Sequence, residues 1–197
     1  MDQRAAQLRN SVREAYSKAA TEPEGDHPFP VGREFAFSIG YPRELLEAIP
    51  EASVESFAGV SNVSVFATLP AGCTVVDLGC GSGLDSFVAA RRVGPHGRVV
   101  GIDFSEAMLS RASCSLRGST LSNLLFVRSA AERLPLADAS IDQALVNGIF
   151  NLNPFRDQIV TELARVLKPG GSVFGAELVL KAPLDEGERS DASNWFS

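Results

Sequence analysis

The chain has 197 residues, 45% of them hydrophobic, enough for one domain with a sizeable core. Its formal net charge of −6 offers no basic face for general nucleic-acid binding, and it lacks the run of about 18 uninterrupted apolar residues that a membrane span needs. Three widely spaced cysteines (Cys73, Cys80, Cys114) and two histidines (His27, His96) form neither a disulfide framework nor a metal site, so a reduced, cytoplasmic setting is expected.

At the start of the chain Asp2, Arg4, Arg9, Arg13 and Glu14 surround no apolar core segment, so a secretory signal is not expected. Over 3–19, Leu8, Val12, Ala15, Tyr16 and Ala19 fall on one stripe at helical spacing, which predicts a helix docked on the main body. Residues 20–33, with Pro23, Gly25, Pro28, Pro30 and Gly32, read as a loop. Pro42 opens a short helix with Leu45, Leu46 and Ile49 inward, and 61–69 form another with Val65, Phe66 and Leu69. Residues 1–71 therefore read as a helical cap, and 72–197 as the main domain.

From residue 73 strands and helices alternate. Strands are expected at 73–78, 98–104, 124–129, 141–147 and 172–180. A helix over 83–93 turns Leu84, Phe87, Val88 and Arg91 to one face, and the next is capped by Ser105 with Met108, Leu109, Ala112 and Leu116 inward. Asn153-Pro154 opens a third with Ile159, Leu163, Val166 and Leu167 inside, and Lys168-Pro169-Gly170-Gly171 stops it. Short strands separated by helices imply right-handed crossovers, hence an α/β fold with a doubly wound, mostly parallel sheet and helices on both faces.

Ligands on such sheets bind beyond the carboxyl ends of the strands. Around that crevice the chain places an acid, Asp77, at the end of the first strand, then Gly79, Cys80, Gly81, Ser82 and Gly83 opening a helix. Alternate glycines allow a tight turn and close approach of a ligand to bare backbone, and the helix start presents unpaired N–H groups. A phosphate would be repelled by Asp77, whereas a ligand with an ammonium and a carboxylate suits both the acid and the amides. Asp103, 24 residues beyond Gly79, can accept from both hydroxyls of a ribose. Ala131-Glu132 reads either as a border for an adenine edge or as a solvated loop. Asn147-Gly148 reads as a turn or as a ligand contact at the crevice mouth. His96 lies at the opposite edge and is discounted as a base. The dinucleotide fingerprint G-x-G-x-x-G would put its third glycine at 84, which is leucine here.

The chain resembles the class I S-adenosylmethionine (SAM)-dependent methyltransferases. The resemblance rests on Val75-Val76-Asp77-Leu78-Gly79-Cys80-Gly81-Ser82-Gly83, Gly101-Ile102-Asp103-Phe104-Ser105-Glu106-Ala107-Met108-Leu109, Ala131-Glu132-Arg133-Leu134-Pro135-Leu136 and Arg165-Val166-Leu167-Lys168-Pro169-Gly170-Gly171. Gly59-Val60-Ser61-Asn62, Gly83-Leu84-Asp85, Val93-Gly94-Pro95-His96-Gly97 and Asn147-Gly148-Ile149-Phe150-Asn151-Leu152 make it most similar to the arsenite-methyltransferase branch. The resemblance implies a Rossmann-like fold and SAM as cofactor. It implies that the Gly79–Gly83 turn holds the methionine moiety, with Asp77 supporting the turn or meeting the amino group. Asp103 would bind the ribose, Phe104 and Met108 would lie against the adenine, and Ala131 and Glu132 would border it. It names no catalytic base.

Two departures shape the expectations. Arsenite methyltransferases hold the metalloid through several cysteine thiolates, and no cysteine precedes Cys73 here, so a different small-molecule acceptor is expected. The family's sheet has seven strands, and the 17 residues after Leu180 are too few for the missing helix and hairpin. Either the natural chain is longer or a second copy covers the exposed fifth strand, and a homodimer through that edge is the expectation. The alternatives to a methyltransferase are a nucleoside-binding module without turnover and, disfavoured by the glycine spacing, an NAD-binding oxidoreductase.

Overall fold

The computed structural model describes residues 3–180, with side chains from Ala6 onward; the polar stretch after Leu180 and its bearing on the missing hairpin lie outside them. Five helices come first: α1 (Gln3–Thr21), α2 (Arg33–Ser38), α3 (Arg43–Ala48), α4 (Glu51–Glu55) and α5 (Val63–Phe66). The alternating part follows as β1 (Thr74–Leu78), α6 (Leu84–Val93), β2 (Arg98–Asp103), α7 (Glu106–Arg117), β3 (Leu124–Arg128), β4 (Ile141–Asn147), α8 (Arg156–Val166) and β5 (Leu167–Ala176). All five strands are parallel, in the order β3-β2-β1-β4-β5. The chain thus winds outward from β1 to β3 and then crosses to β4 on the other side, which makes the carboxyl ends of β1 and β4 the topological switch point.

Alternation along β1 divides the core. Val75 points into a cluster with Leu84, Phe87 and Val99 that also takes in Tyr41, Leu46, Val54 and Val63 from the N-terminal helices. Val76 and Leu78 point the other way, onto Ile102, Ala144, Ile159 and Leu163. Both faces of the sheet are therefore covered, as the near-continuous apolar runs of β1 and β4 require.

Polar side chains then fix where the connections lie. Asn123 Nδ2 donates to the Ala90 and Gly94 carbonyls and so caps the end of α6. Glu162 of α8 accepts from the Leu134 N–H at 2.6 Å and pairs with Arg165, which holds the Glu162 carboxyl down at about 2. Arg165 also donates to the Leu134 and Leu136 carbonyls, anchoring the segment after β3 to α8.

Several boundaries differ from the pattern read in the sequence. The helix expected over 61–69 is only α5, because Ala67 turns to extended backbone. The short helices α2 and α4 lie where no periodic apolar pattern is present. Asn153 does not cap α8. Its Oδ1 accepts from the Phe155 N–H in a local turn, and the helix begins at Arg156. The Lys168–Gly171 stretch is absorbed into β5 as a bulge between the Ile141↔Leu167 and Gln143↔Ser172 pairs, with Gly170 at φ 83°. Pairing ends at Ala176 rather than at Leu180.

Arg111 of α7 joins the N-terminal helices to the sheet layer. Its guanidinium donates to the Ala52 carbonyl at 2.6 Å and the Ala20 carbonyl at 2.9 Å, and pairs with Glu55. Arg111→Met removes the Arg111 donors from both carbonyls, leaving Ala52 only its bond from Ser56 Oγ, and should lower stability by about 1–3 kcal/mol. Hydrogen exchange should show the loss of protection concentrated in α1 and α4, with β1 and β4 little changed.

Candidate functional site

A cleft of about 1050 Å³, its open mouth included, lies over the carboxyl ends of β1, β2, β3 and β4. Its floor is the turn from Asp77 to Ser82, where Gly79 (φ 75°) and Gly81 (φ 52°) adopt left-handed backbone that other residues strain to reach. Gly79 also faces the Ile149 side chain so closely that a Cβ would collide with it. Gly83 (φ 93°) is the N-cap of α6.

Three acids meet beneath this turn, and each is buried. Asp103 Oδ2 accepts from the Gly81 N–H at 2.9 Å and Oδ1 from the Ser105 N–H at 2.7 Å, so the end of β2 clasps the turn from the side. Burial still pushes the Asp103 carboxyl up, against those hydrogen bonds. Asp77 accepts from Ser86 Oγ at 2.5 Å. Burial, then the nearby Asp85 charge, raise the Asp77 carboxyl to about 8. Asp85 accepts from Tyr41 OH at 2.6 Å, from the Ser64 N–H at 3.2 Å and from Asn147 Nδ2 at 2.8 Å. The Cys80 thiol is raised as well, by burial and then by Asp103 and Asp77, and so stays protonated.

Eleven of the twelve residues singled out in the sequence line this one cleft: Asp77, Gly79, Cys80, Gly81, Ser82, Asp103, Phe104, Met108, Ala131, Glu132 and Asn147. Gly83 does not line it. Its missing side chain faces the Phe126 ring, where a Cβ would come within 2.7 Å. Ser82 turns its hydroxyl away, to the Ser53 carbonyl at 2.9 Å. Asn147 lines the cleft, but its polar atoms are taken by the protein. Its Oδ1 accepts from the Val60 and Ser61 N–H groups, and its Nδ2 donates to the Ser61 carbonyl and to Asp85. His96 is exposed in the turn before β2 and does not line the cleft.

Glu132 is held differently. Its Oε1 accepts from Asn153 Nδ2 at 2.9 Å and lies 3.7 Å from the Arg9 guanidinium, while Oε2 is buried without a hydrogen-bond partner. A buried lone acceptor is costly and marks a place where a donor fits.

Of the far wall, the sequence suggests Tyr16 as a lid contact, with packing the favoured reading, and does not mark Arg9 or Val12 as lining residues. Arg9, Val12 and Tyr16 of α1 line the cleft, and Tyr16 stacks on Phe29 with ring centroids 4.5 Å apart. The stripe through Val12 and Tyr16 was visible, but nothing in it told a packing face from a cleft wall. Glu177 was missed too. Its carboxylate accepts from the N–H groups of Ile149, Phe150 and Asn151, fixing the loop after β4 that forms the mouth.

The Asp77 carboxyl titrates near 4 in an unfolded chain and at about 8 here. The fold therefore favours its protonated form, a contribution fully present below the unfolded value and lost as pH rises through the folded one. Wild type should lose stability relative to Asp77→Asn between about pH 4 and pH 8. Urea midpoints for both proteins across that range measure it, and parallel midpoints would refute the assignment.

Comparison with known proteins bears on what such a cleft serves. Residues 69–196 match the family model described as "Methyltransferase domain". The arsenite methyltransferase of Halobacterium salinarum is 33% identical over 153 residues, 78% of this chain and 39% of that protein. The demethylmenaquinone methyltransferase of Desulfitobacterium hafniense is 41% identical over 109 residues, 54% of this chain and 43% of that protein. Among solved structures, the arsenic (III) S-adenosylmethionine methyltransferase CrArsM from Chlamydomonas reinhardtii superposes with a TM-score of 0.62 at 30% identity, covering 80% of this chain and 52% of its own. The chain thus spans about half or less of the length of these relatives. A family match over the whole alternating part, on a parallel sheet whose switch point carries the glycine turn, places the chain in the methyltransferase domain family.

Proposed function

We propose that the chain binds SAM across the carboxyl ends of β1, β2 and β3 and serves its methyl transfer to a small-molecule acceptor. The observation that carries this reading is the buried, unpartnered Glu132 Oε2 in the same cleft as the glycine turn and Asp103. The exocyclic amino group of an adenine is the donor that atom lacks. Asp103 keeps free lone pairs beside its two bonds to the backbone and can accept from ribose hydroxyls. Phe104 and Met108 supply apolar wall for a base. The bare backbone of Gly79 and Gly81 leaves room for an amino-acid tail, and its ammonium group suits a floor built on three buried acids.

Bound SAM supplies a methyl group already activated on a sulfonium. The residues of the chain therefore have to orient, desolvate and exclude water, effects that can supply up to about 7–11 kcal/mol when the reactants are well aligned. Tyr16 and Val12 close the cleft from the α1 side and serve that end.

Arsenite as acceptor finds little support in the residues. Of the three cysteines only Cys80 lines the cleft, and its thiol is held protonated, whereas soft metalloids are held by thiolates. Among the described residues no group of three His, Cys, Asp or Glu side chains could hold a metal ion, and no helix is long and apolar enough to cross a membrane.

Asp103→Ala should weaken SAM binding by about 1.5–3 kcal/mol through loss of hydrogen bonds to a charged group. Glu132→Gln should cost about tenfold in affinity, since an amide nitrogen in place of Oε2 offers no acceptor. Calorimetric titration with SAM reads both, and unchanged affinities would overturn the assignment. Release of labelled methyl from SAM across an acceptor panel separates an enzyme from a binding module.

The β5 edge supports pairing with a second copy. Among the described residues β5 is paired only with β4, and Val173 on it is exposed. Light scattering should give the mass of a dimer, and Val173→Lys should reduce it to that of a monomer.

A further inference from the structure

A second chamber, about 670 Å³ with its open mouth, adjoins the cleft and shares Tyr16, Ala58, Gly59, Gly148 and Leu152 with it. The other walls are Phe29, Pro30, Phe35, Ile39, Val60 and Leu178, and none of the lining side chains carries a charge. This contrasts sharply with the three-acid floor next door. Besides the Tyr16 phenol, one polar side chain breaks the apolar lining. Asn151 donates its backbone N–H to Glu177, and its side-chain Oδ1 is buried with no hydrogen-bond partner. An apolar chamber with a single unanswered acceptor selects by exclusion. It rejects ions, which would lose hydration without compensation, and favours an apolar body with one donor to meet the amide.

We infer that this chamber holds the methyl acceptor, and that the acceptor is an uncharged, largely apolar small molecule whose one hydroxyl or amino group donates to Asn151. The inference rests on the methyltransferase reading of the adjoining cleft. The shared Tyr16, Gly59 and Gly148 boundary places such a molecule alongside the cofactor cleft. The chamber lining includes no cysteine, so a trivalent arsenic species meets no sulfur there.

The test uses 2-naphthol and naphthalene as probes, titrated by ligand-observed NMR against the full chain with and without S-adenosylhomocysteine. Wild type should bind 2-naphthol about tenfold more tightly than naphthalene. Asn151→Leu should erase that difference while keeping naphthalene binding. Ile39→Trp should fill the chamber and abolish binding of both probes, with S-adenosylhomocysteine affinity unchanged. Failure of 2-naphthol to bind, equal affinity of the two probes for wild type, or undiminished binding to both variants would overturn the proposal. Loss of S-adenosylhomocysteine binding in the wild type would instead overturn the reading of the first cleft, and the probe titration without it would still decide the chamber.

Discussion

Three buried carboxylates packed against one glycine turn are the constraint from which the rest of the structure follows. An acid taken out of water without partners costs far more than the fold can supply. Every neighbouring element accordingly delivers a donor: Gly81 and Ser105 N–H to Asp103, Ser86 to Asp77, and Tyr41, Ser64 and Asn147 to Asp85. The supply is incomplete at Asp77, whose carboxyl is pushed up to about 8 by burial and by Asp85. A site short of positive charge at its floor favours a cationic ligand and disfavours a pyrophosphate. That electrostatic argument separates a sulfonium nucleoside from a dinucleotide independently of the glycine spacing.

The same network explains why the N-terminal helices belong to the site. Asp85 starts α6, yet two of its donors, Tyr41 and Ser64, come from before β1. Asn147 at the end of β4 holds the Val60 and Ser61 backbone. Gly59 sits where a side chain would strike Asn147 Nδ2 and the Phe57 ring, each within 2.6 Å. Removing charge from water and closing the crevice are thus one structural act. The helices before the sheet satisfy the acids and, in doing so, build the far wall.

What could be read in the sequence follows from the range of each signal. The parallel sheet, the turn and the acids at strand ends rest on local patterns, such as apolar runs, alternating glycines and a serine cap, and the structure places them as the patterns imply. The family match agrees with the resemblance those motifs carry. Asn147 shows the limit. Its place at the mouth was legible, but its four hydrogen bonds reach residues more than 60 positions away, and no local pattern encodes that. Glu177 and α4 were invisible for a similar reason, one acting as a distant acceptor for a loop and the other being five residues long. The β5 bulge defeated the turn reading because Lys168 is held to Asp142 at 2.8 Å across the ladder. That contact keeps a Pro-Gly-Gly stretch inside the strand.

The cleft and its side chamber divide the work by solvation. Charge and backbone amides gather where a charged nucleoside would lie, and the chamber beyond Tyr16 is lined almost wholly by carbon. A sulfonium needs a polar setting to bind, yet its methyl transfers best where water cannot compete with the acceptor for solvation or for the reacting carbon. The boundary at Gly59 and Gly148, whose bare backbone lets Asn147, Phe57 and Val60 pack close, keeps the two spaces adjacent and serves both demands. A larger residue at Gly59 would drive into Asn147 Nδ2 and the Phe57 ring, and one at Gly148 into Val60, so the two glycines hold this boundary in place.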